Sequence, residues 1–440
     1  MRVVVIGGGF AGLMAADRIA RSGQQPVVLE ARNRVGGRIW SQELLPGDPR
    51  TVVERGGEFV LDGYDVMRSV LKDLGLALAD TTMSYYSREP RGASPTTAAE
   101  VAHCARLVEA AAASAAPTTS LADLITEDLP GLAADKPAAV EAYISRVTAT
   151  HGVDSDVLAA ASLADVTSSY DSRPTWRVAG GNQLLAIGLA NRLGDAVHRN
   201  TPVRAIEHSL TGVRVLTDTG ELTADAAIVT VPMAILRTLR FDPPLPARYQ
   251  QAWQRAGLAH NAKLHLPLTA PADPSAVLSV PDRFWTWTAT DDSGQVQPVL
   301  HAFGGTATAL AALGVSHGPQ TWAARAAALR PELALDLTGA LLTTWNDDRW
   351  AGESYSAHTV SVEPGDDELI AQPTGRIYFA GEHTAGDWAG LMEGALRSGV
   401  RAADEVLALT ARPANFHLSL IGAHLSLVRD DFPSVTPTYP

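Results

Sequence analysis

At 440 residues, 46% hydrophobic and 19% charged, the chain is long enough for two large lobes and has the make-up of a globular protein. Its net charge of −13 disfavours nucleic acid and anionic membranes as partners, and a single cysteine, Cys104, excludes a disulfide frame and a Cys-based metal site. A strand signal already at residue 3, and an apolar stretch at 416–428 too short to span a bilayer, lead to the expectation of a cytoplasmic protein without membrane attachment.

Residues 3–6, Val-Val-Val-Ile, predict a buried strand, and Gly7, Gly9 and Gly12 follow as Gly-x-Gly-x-x-Gly. That spacing serves a tight turn, close approach of a pyrophosphate to the backbone, and close packing of helix on strand. A helix opening at Phe10 and Ala11 points free N–H groups and its positive dipole end at the pyrophosphate. A second apolar strand, 27–29, ends in Glu30, placed where a carboxylate accepts from ribose hydroxyls. Ala31, Arg32, Gly37 and Arg38 continue that loop. A lone glycine fingerprint is weak, but two strands, the acid and the loop together specify dinucleotide binding.

Later signals are scattered. Residues 52–60 read as a strand breaking into a Gly56-Gly57 turn. From 61 to 175 the chain is a helical insertion, with Ala-rich helical spacing at 98–116, 137–149 and 156–164. Gly180-Gly181-Asn182 then precedes a helix to 193, followed by strands at 203–206, 213–217 and 227–231. The stretch 264–364 mixes short strands with helices at 321–330 and 334–345, and Asp347-Asp348 reads as a solvated turn. A last strand, 376–380, ends at Gly381 before a helix over 390–409. The expected fold class is α/β: a dinucleotide domain from 1–60, 176–263 and 365–411, a mixed α+β substrate domain from 61–175 and 264–364, and a tail at 412–440. The histidines, His103, His151, His260 and His424 among them, show no metal spacing, so no metal is expected.

These blocks resemble the flavin-containing amine oxidases, the family of monoamine, polyamine and L-amino-acid oxidases. The resemblance is carried by residues 5–12, 30–38, 54–60, 180–181 with 202–203, 228–232 running into 241–246, 345–356 and 379–395; it is poor in 61–175 and 264–340. It implies a Rossmann-like domain holding FAD, a small-molecule amine or amide substrate, O2 as acceptor, H2O2 as product, and room for a homodimer. It places Glu30 at the adenosine ribose, Val203 at the adenine and Arg38 at the pyrophosphate. Gly56, Gly57 and Glu58 would run along the flavin, with Trp345 near it. Gly381 and Glu382 would lie by the ribityl or pyrophosphate, and Leu391 and Met392 by the carbonyl edge of the isoalloxazine, where a helix N-terminus stabilises developing negative charge. Ser354 stands where monoamine oxidases carry the cysteine that bonds the flavin, which implies non-covalent FAD.

Three residues are the catalytic candidates. Lys263 matches the family lysine that holds a water at flavin N5; on residues alone it reads as an exposed edge-strand lysine. Glu58, where relatives usually carry a neutral residue, is either a general base or ammonium anchor, or a carboxylate held by a neighbour such as Arg55. Tyr355 matches the first of two aromatics flanking the substrate amine, or is a packing residue. The second position is Leu391, so the cage is half missing unless Trp388 fills it, and a simple primary amine is disfavoured. The composition and blocks also resemble amine oxidases of lankacidin-type antibiotic biosynthesis, which convert an N-acyl amine to an N-acyl imine that closes a macrocycle by Mannich-type attack. A catabolic monoamine, polyamine or L-amino-acid oxidase is the alternative. A carbon–carbon desaturase of the protoporphyrinogen or carotenoid type would need neither Lys263 nor Tyr355.

Overall fold

The computed structural model describes residues 1–164 and 173–411; the tail expected at 412–440 lies outside them. The opening strand is Arg2–Ile6, with Val3, Val4 and Val5 fully buried, as a parallel sheet covered on both faces requires. It sits at the centre of five parallel strands in the order Ile377–Phe379, Ala226–Val229, Arg2–Ile6, Gln25–Leu29, Val197–His198. One sheet is thus assembled from three distant stretches of chain. The helix Phe10–Arg21 starts where the glycine turn ends. A Cβ on Gly12 would stand 2.0 Å from the Gly7 carbonyl oxygen, so only glycine lets this helix sit so close to the strand end. The last helix, Met392–Ala411, packs across it in the same core, with Leu13, Ile19, Leu396 and Ala403 buried together.

The second lobe is built on a six-stranded sheet ordered Leu341–Thr344, Asn261–Pro267, Val299–Gly305, Phe284–Thr288, Ser275–Ser279, Glu89–Arg91. Strand alternation divides its faces. Ala262, Leu264, Leu300, Ala302 and Phe284 join Trp322 in an apolar core on one side. Lys263, His265, His301, Phe303, Trp285 and Trp287 occupy the other. Helices Ala98–Ala112, opened by a Thr97/Glu100 capping box, and Pro137–His151 cover part of that second face through Val101, Cys104, Ala142 and Tyr143.

Several expectations shift. The helix anticipated at 156–164 is only a short 3₁₀ turn, Ala160–Ala164. Leu158 instead bridges to Thr359 and the Ala159 N–H donates to the His358 carbonyl, so pairing with a distant segment overrides local alanine propensity. The helix anticipated at 334–345 is a turn, in which Asp336 accepts from the Thr338 N–H, followed by the strand Leu341–Thr344 paired to Asn261–Pro267. Helix Asp65–Leu74, inside the stretch grouped with the insertion, packs Met67, Val70 and Leu71 into the core of the dinucleotide lobe. That lobe therefore extends past residue 60. Among the described residues no helix is long and apolar enough to cross a membrane.

Candidate active site

A cavity of about 1230 Å³ runs between the lobes. Its first end is backbone. Gly7, Gly9, Phe10 and Ala11 line it, and a Cβ on Gly9 would meet no atom within 4 Å. Gly12 lies behind the turn, where it packs rather than lines. Glu30, buried, accepts from the N–H of Gly8 at 2.7 Å and of Arg32 at 2.8 Å; burial raises its pKa, and those two N–H groups work against that rise. Ala31, Gly37 and Val203 complete this end. The Arg32 guanidinium forms a tight ion pair with Asp348, which is therefore not the freely solvated turn residue expected from sequence. Arg38 Nη1 lies 3.0 Å from Glu382 Oε1 and donates to the Ser354 carbonyl at 3.0 Å. Glu382 also accepts from Gly390 N–H at 2.8 Å and from the Ser356 hydroxyl at 2.6 Å, tying the loop after Gly381 to the start of the last helix.

The middle of the cavity is walled by the Gly56-Gly57 turn. Gly56 and Gly57 run between Trp345, whose indole N–H donates to the Arg55 carbonyl at 3.2 Å, and Met392, whose Cγ would be 3.1 Å from a Cβ on Gly57. Asn182 fixes this turn: its Nδ2 donates to the carbonyls of Glu58 at 2.6 Å and Gly57 at 3.1 Å, while its Oδ1 accepts from Val178 N–H. From its neighbours in sequence, Asn182 reads only as a helix start. An amide four residues past a strand and followed by an apolar helix carries no local sign of that distant role.

Glu58 and Lys263 meet at the end of the wall. Lys263 Nζ is 2.6 Å from Glu58 Oε2 and donates to the Glu54 carbonyl at 3.0 Å, with both side chains buried. The Lys263 strand is second in its sheet, which rules out the exposed edge-strand reading. Arg55 donates to Thr343 and Gln42 instead of holding Glu58. Glu58 lines the cavity, and its Oε1 has no hydrogen-bond partner among the described residues. Glu54, entirely buried and near Glu58, has its carboxyl pushed up to about 7, chiefly by desolvation. An unfolded glutamate titrates at about 4.3, so between those values the folded chain holds a proton the unfolded chain has lost, and stability falls as pH rises through that window. Glu54→Gln is accordingly expected to melt higher than wild type at pH 8 and alike at pH 5, read by thermal scans at both.

Tyr355 lines the cavity with its ring against Gly390, where a Cβ would be 3.6 Å from Cδ2. Its hydroxyl donates to the Thr150 carbonyl, and burial holds the phenol well above its ordinary pKa, so it stays protonated. Trp388 also lines the cavity, packed edge-on against Tyr64 at 5.9 Å and lying under Arg397 at 4.5 Å. The side chain at the facing position remains Leu391. The far wall, which the sequence did not reveal, is aromatic: Trp285 and Trp287 stack at 4.2 Å, with Phe59 packed on both and Tyr85 beside them. Ser354 spends its hydroxyl on the Ala259 carbonyl and Asn261 Oδ1, each at 2.8 Å, and Cys104 is buried in its helix.

Comparison with known proteins gives this arrangement its setting. AofH of Mycobacterium tuberculosis, named for a flavin-containing monoamine oxidase, is 30% identical over 92% of this chain and 96% of its own length. "Amine oxidase [flavin-containing] B" of Bos taurus is 26% identical over 92% of this chain and 86% of its own. Among solved structures, putrescine oxidase bound to putrescine superposes with a TM-score of 0.78 at 23% identity, covering 93% of this chain and 99% of that one. The family model described as flavin containing amine oxidoreductase matches residues 10–407, which takes in the Gly56-Gly57 turn and most of the last helix: the chain belongs to the flavin-containing amine oxidoreductase family, whose cofactor is FAD.

Proposed function

We propose that this FAD-dependent amine oxidase acts on a bulky secondary amine or N-acyl amine, oxidising the carbon–nitrogen bond to an imine. The residues fit FAD: Gly9 opens on space a Cβ would enter, Glu30 lines the same cavity, and Gly56 and Gly57, closely packed by Arg38, Ile39 and Met392, bring backbone to its wall. When bound, FAD supplies the acceptor for a hydride from the carbon beside nitrogen and passes the electrons to O2. The chain supplies the rest. Gly57 and Met392 set one face, Tyr355 and Leu391 border the space in front of it, and the Trp285–Trp287 wall excludes water. Glu58 takes the proton that an amide-like N–H must lose, and Lys263 holds that carboxylate in place.

One observation carries the substrate class: Glu58, the carboxylate beside the Gly56-Gly57 turn, is already charge-matched by Lys263 at 2.6 Å and so is not free to anchor an ammonium group. That weighs against Glu58 as the amine anchor of a catabolic di- or polyamine oxidase, although Asp62 and Asp387 also line the cavity. The half cage and the wide aromatic wall support a large, mostly apolar substrate, as in antibiotic assembly, where an N-acyl imine would be set for Mannich-type ring closure. Peroxide release across a panel of N-acyl amines, primary monoamines and diamines tests this. Fastest turnover of N-acyl or bulky secondary amines is expected; fastest turnover of putrescine or a small primary amine overturns it. Leu391→Tyr would complete the cage and raise kcat/KM for small primary amines by about tenfold. With Ser354 engaged and Cys104 remote, acid precipitation should leave FAD in the supernatant; yellow protein in the pellet would show a covalent bond.

A further inference from the structure

Behind Lys263, on the same face of the same strand, lies His265, and directly across on the neighbouring strand lies His301. Both are entirely buried, and their Nδ1 atoms are 3.1 Å apart. One Nδ1 must donate and the other accept, so the two rings hold complementary tautomers: one bare Nε2 and one Nε2–H. Both Nε2 atoms are without hydrogen-bond partners among the described residues. The rings are held stiffly, at 86° to each other, with His301 stacked flat on Trp287 at 5.2 Å. The charged groups acting on His265 are Lys263, Glu58 and Arg55; those on His301 are Arg177 and Lys263. Two of the side chains acting on the pair also carry buried atoms without hydrogen-bond partners among the described residues: Glu58 Oε1, acting on His265, and Arg177 Nη1, acting on His301. Buried polar atoms of this kind are ordinarily satisfied by ordered water.

We propose that the His265–His301 pair is a proton relay between Glu58 and the Arg177 side of the sheet, working through bridging waters. It rests on Glu58 being the group that accepts the substrate proton. The transfer balances without charging either ring. A proton from Glu58 adds to the bare Nε2 of His265, the Nδ1 proton of His265 crosses to Nδ1 of His301, and the Nε2 proton of His301 leaves. Two N–H bonds form and two break, and both tautomers invert. Reversal returns one proton, which together with the transferred hydride reduces O2 to H2O2. Burial holds both imidazoles well below their ordinary pKa, which suits a conductor and not a store of charge. The relay lets Glu58 empty while product still fills the cavity. A buried pair serving only packing needs no open Nε2 at either end.

The test is proton release during anaerobic mixing of the holoenzyme with an amine substrate, followed by a pH-indicator dye beside flavin bleaching. Wild type should release one proton per flavin in step with bleaching. His301→Phe, which keeps an aromatic face on Trp287, should bleach within about twofold of wild type but release its proton at least about tenfold later. His301→Gln serves as second variant should the phenylalanine fail to fold. Long-range ¹⁵N–¹H spectra of histidine-labelled protein without substrate should show one Nδ1–H and one Nε2–H tautomer. Prompt release from either variant, or two identical tautomers, overturns the relay. Glu58→Gln separates the two ideas: bleaching at the wild-type rate in that variant sinks the reading of Glu58 itself, whatever the histidines do.

Discussion

Glu58→Gln is expected to slow substrate oxidation by about 10²–10⁴-fold, the range that removal of a positioned general base commonly costs. FAD content should not change, because the turn beside the cofactor is held through backbone carbonyls by Asn182 and not through the Glu58 side chain. The same change strips Lys263 of its counter-charge. Removing one member of a buried pair costs about 3–5 kcal/mol, so the melting temperature should drop as well. Glu58→Gln/Lys263→Met, which removes both charges, should recover most of that stability and none of the rate. Stopped-flow bleaching and thermal melts of the single and double variants separate the two effects. Wild-type turnover in Glu58→Gln with FAD retained would reduce the carboxylate to a counter-ion for the lysine.

The double variant also shows what a linear sequence can and cannot disclose. The dinucleotide end was legible because its chemistry is local: Gly7, Gly9, Gly12 and Glu30 act within one strand-turn-helix-strand unit, so spacing alone reports geometry. The reacting end is built from long-range pairs. Glu58 and Lys263 are 205 positions apart, and nothing in either neighbourhood names the other; sequence offered Arg55 as the partner because it was near in the chain. Strand pairing decides such contacts. It also replaced the helix expected at 334–345 with a turn and a short strand, since Leu341–Thr344 completes the sheet beside Lys263. The aromatic wall stayed hidden for the same reason. Trp285 and Trp287 alternate on one strand, but which face meets the cavity depends on Phe59, contributed by the other lobe.

Gly9→Ala provides the sharpest test of the cofactor end, because steric and fold effects part company there. A methyl group at Gly12 would collide with the Gly7 carbonyl at 2.0 Å, so Gly12→Ala damages the apoprotein before any ligand enters. A methyl at Gly9 meets nothing within 4 Å, and its backbone φ of −80° is one that alanine adopts freely. The apoprotein of Gly9→Ala should therefore melt within about 0.5 kcal/mol of wild type, the usual bound for a substitution that touches nothing. Yet the space that methyl occupies is the one a pyrophosphate needs in order to reach the N–H groups of the first helix turn. FAD affinity should fall at least about a hundredfold, about 2.7 kcal/mol, as read by fluorescence titration of apoprotein. Tight FAD binding by Gly9→Ala would mean that the cofactor enters this cavity without touching the glycine turn. Glu30 and the helix dipole would then have no part in holding it.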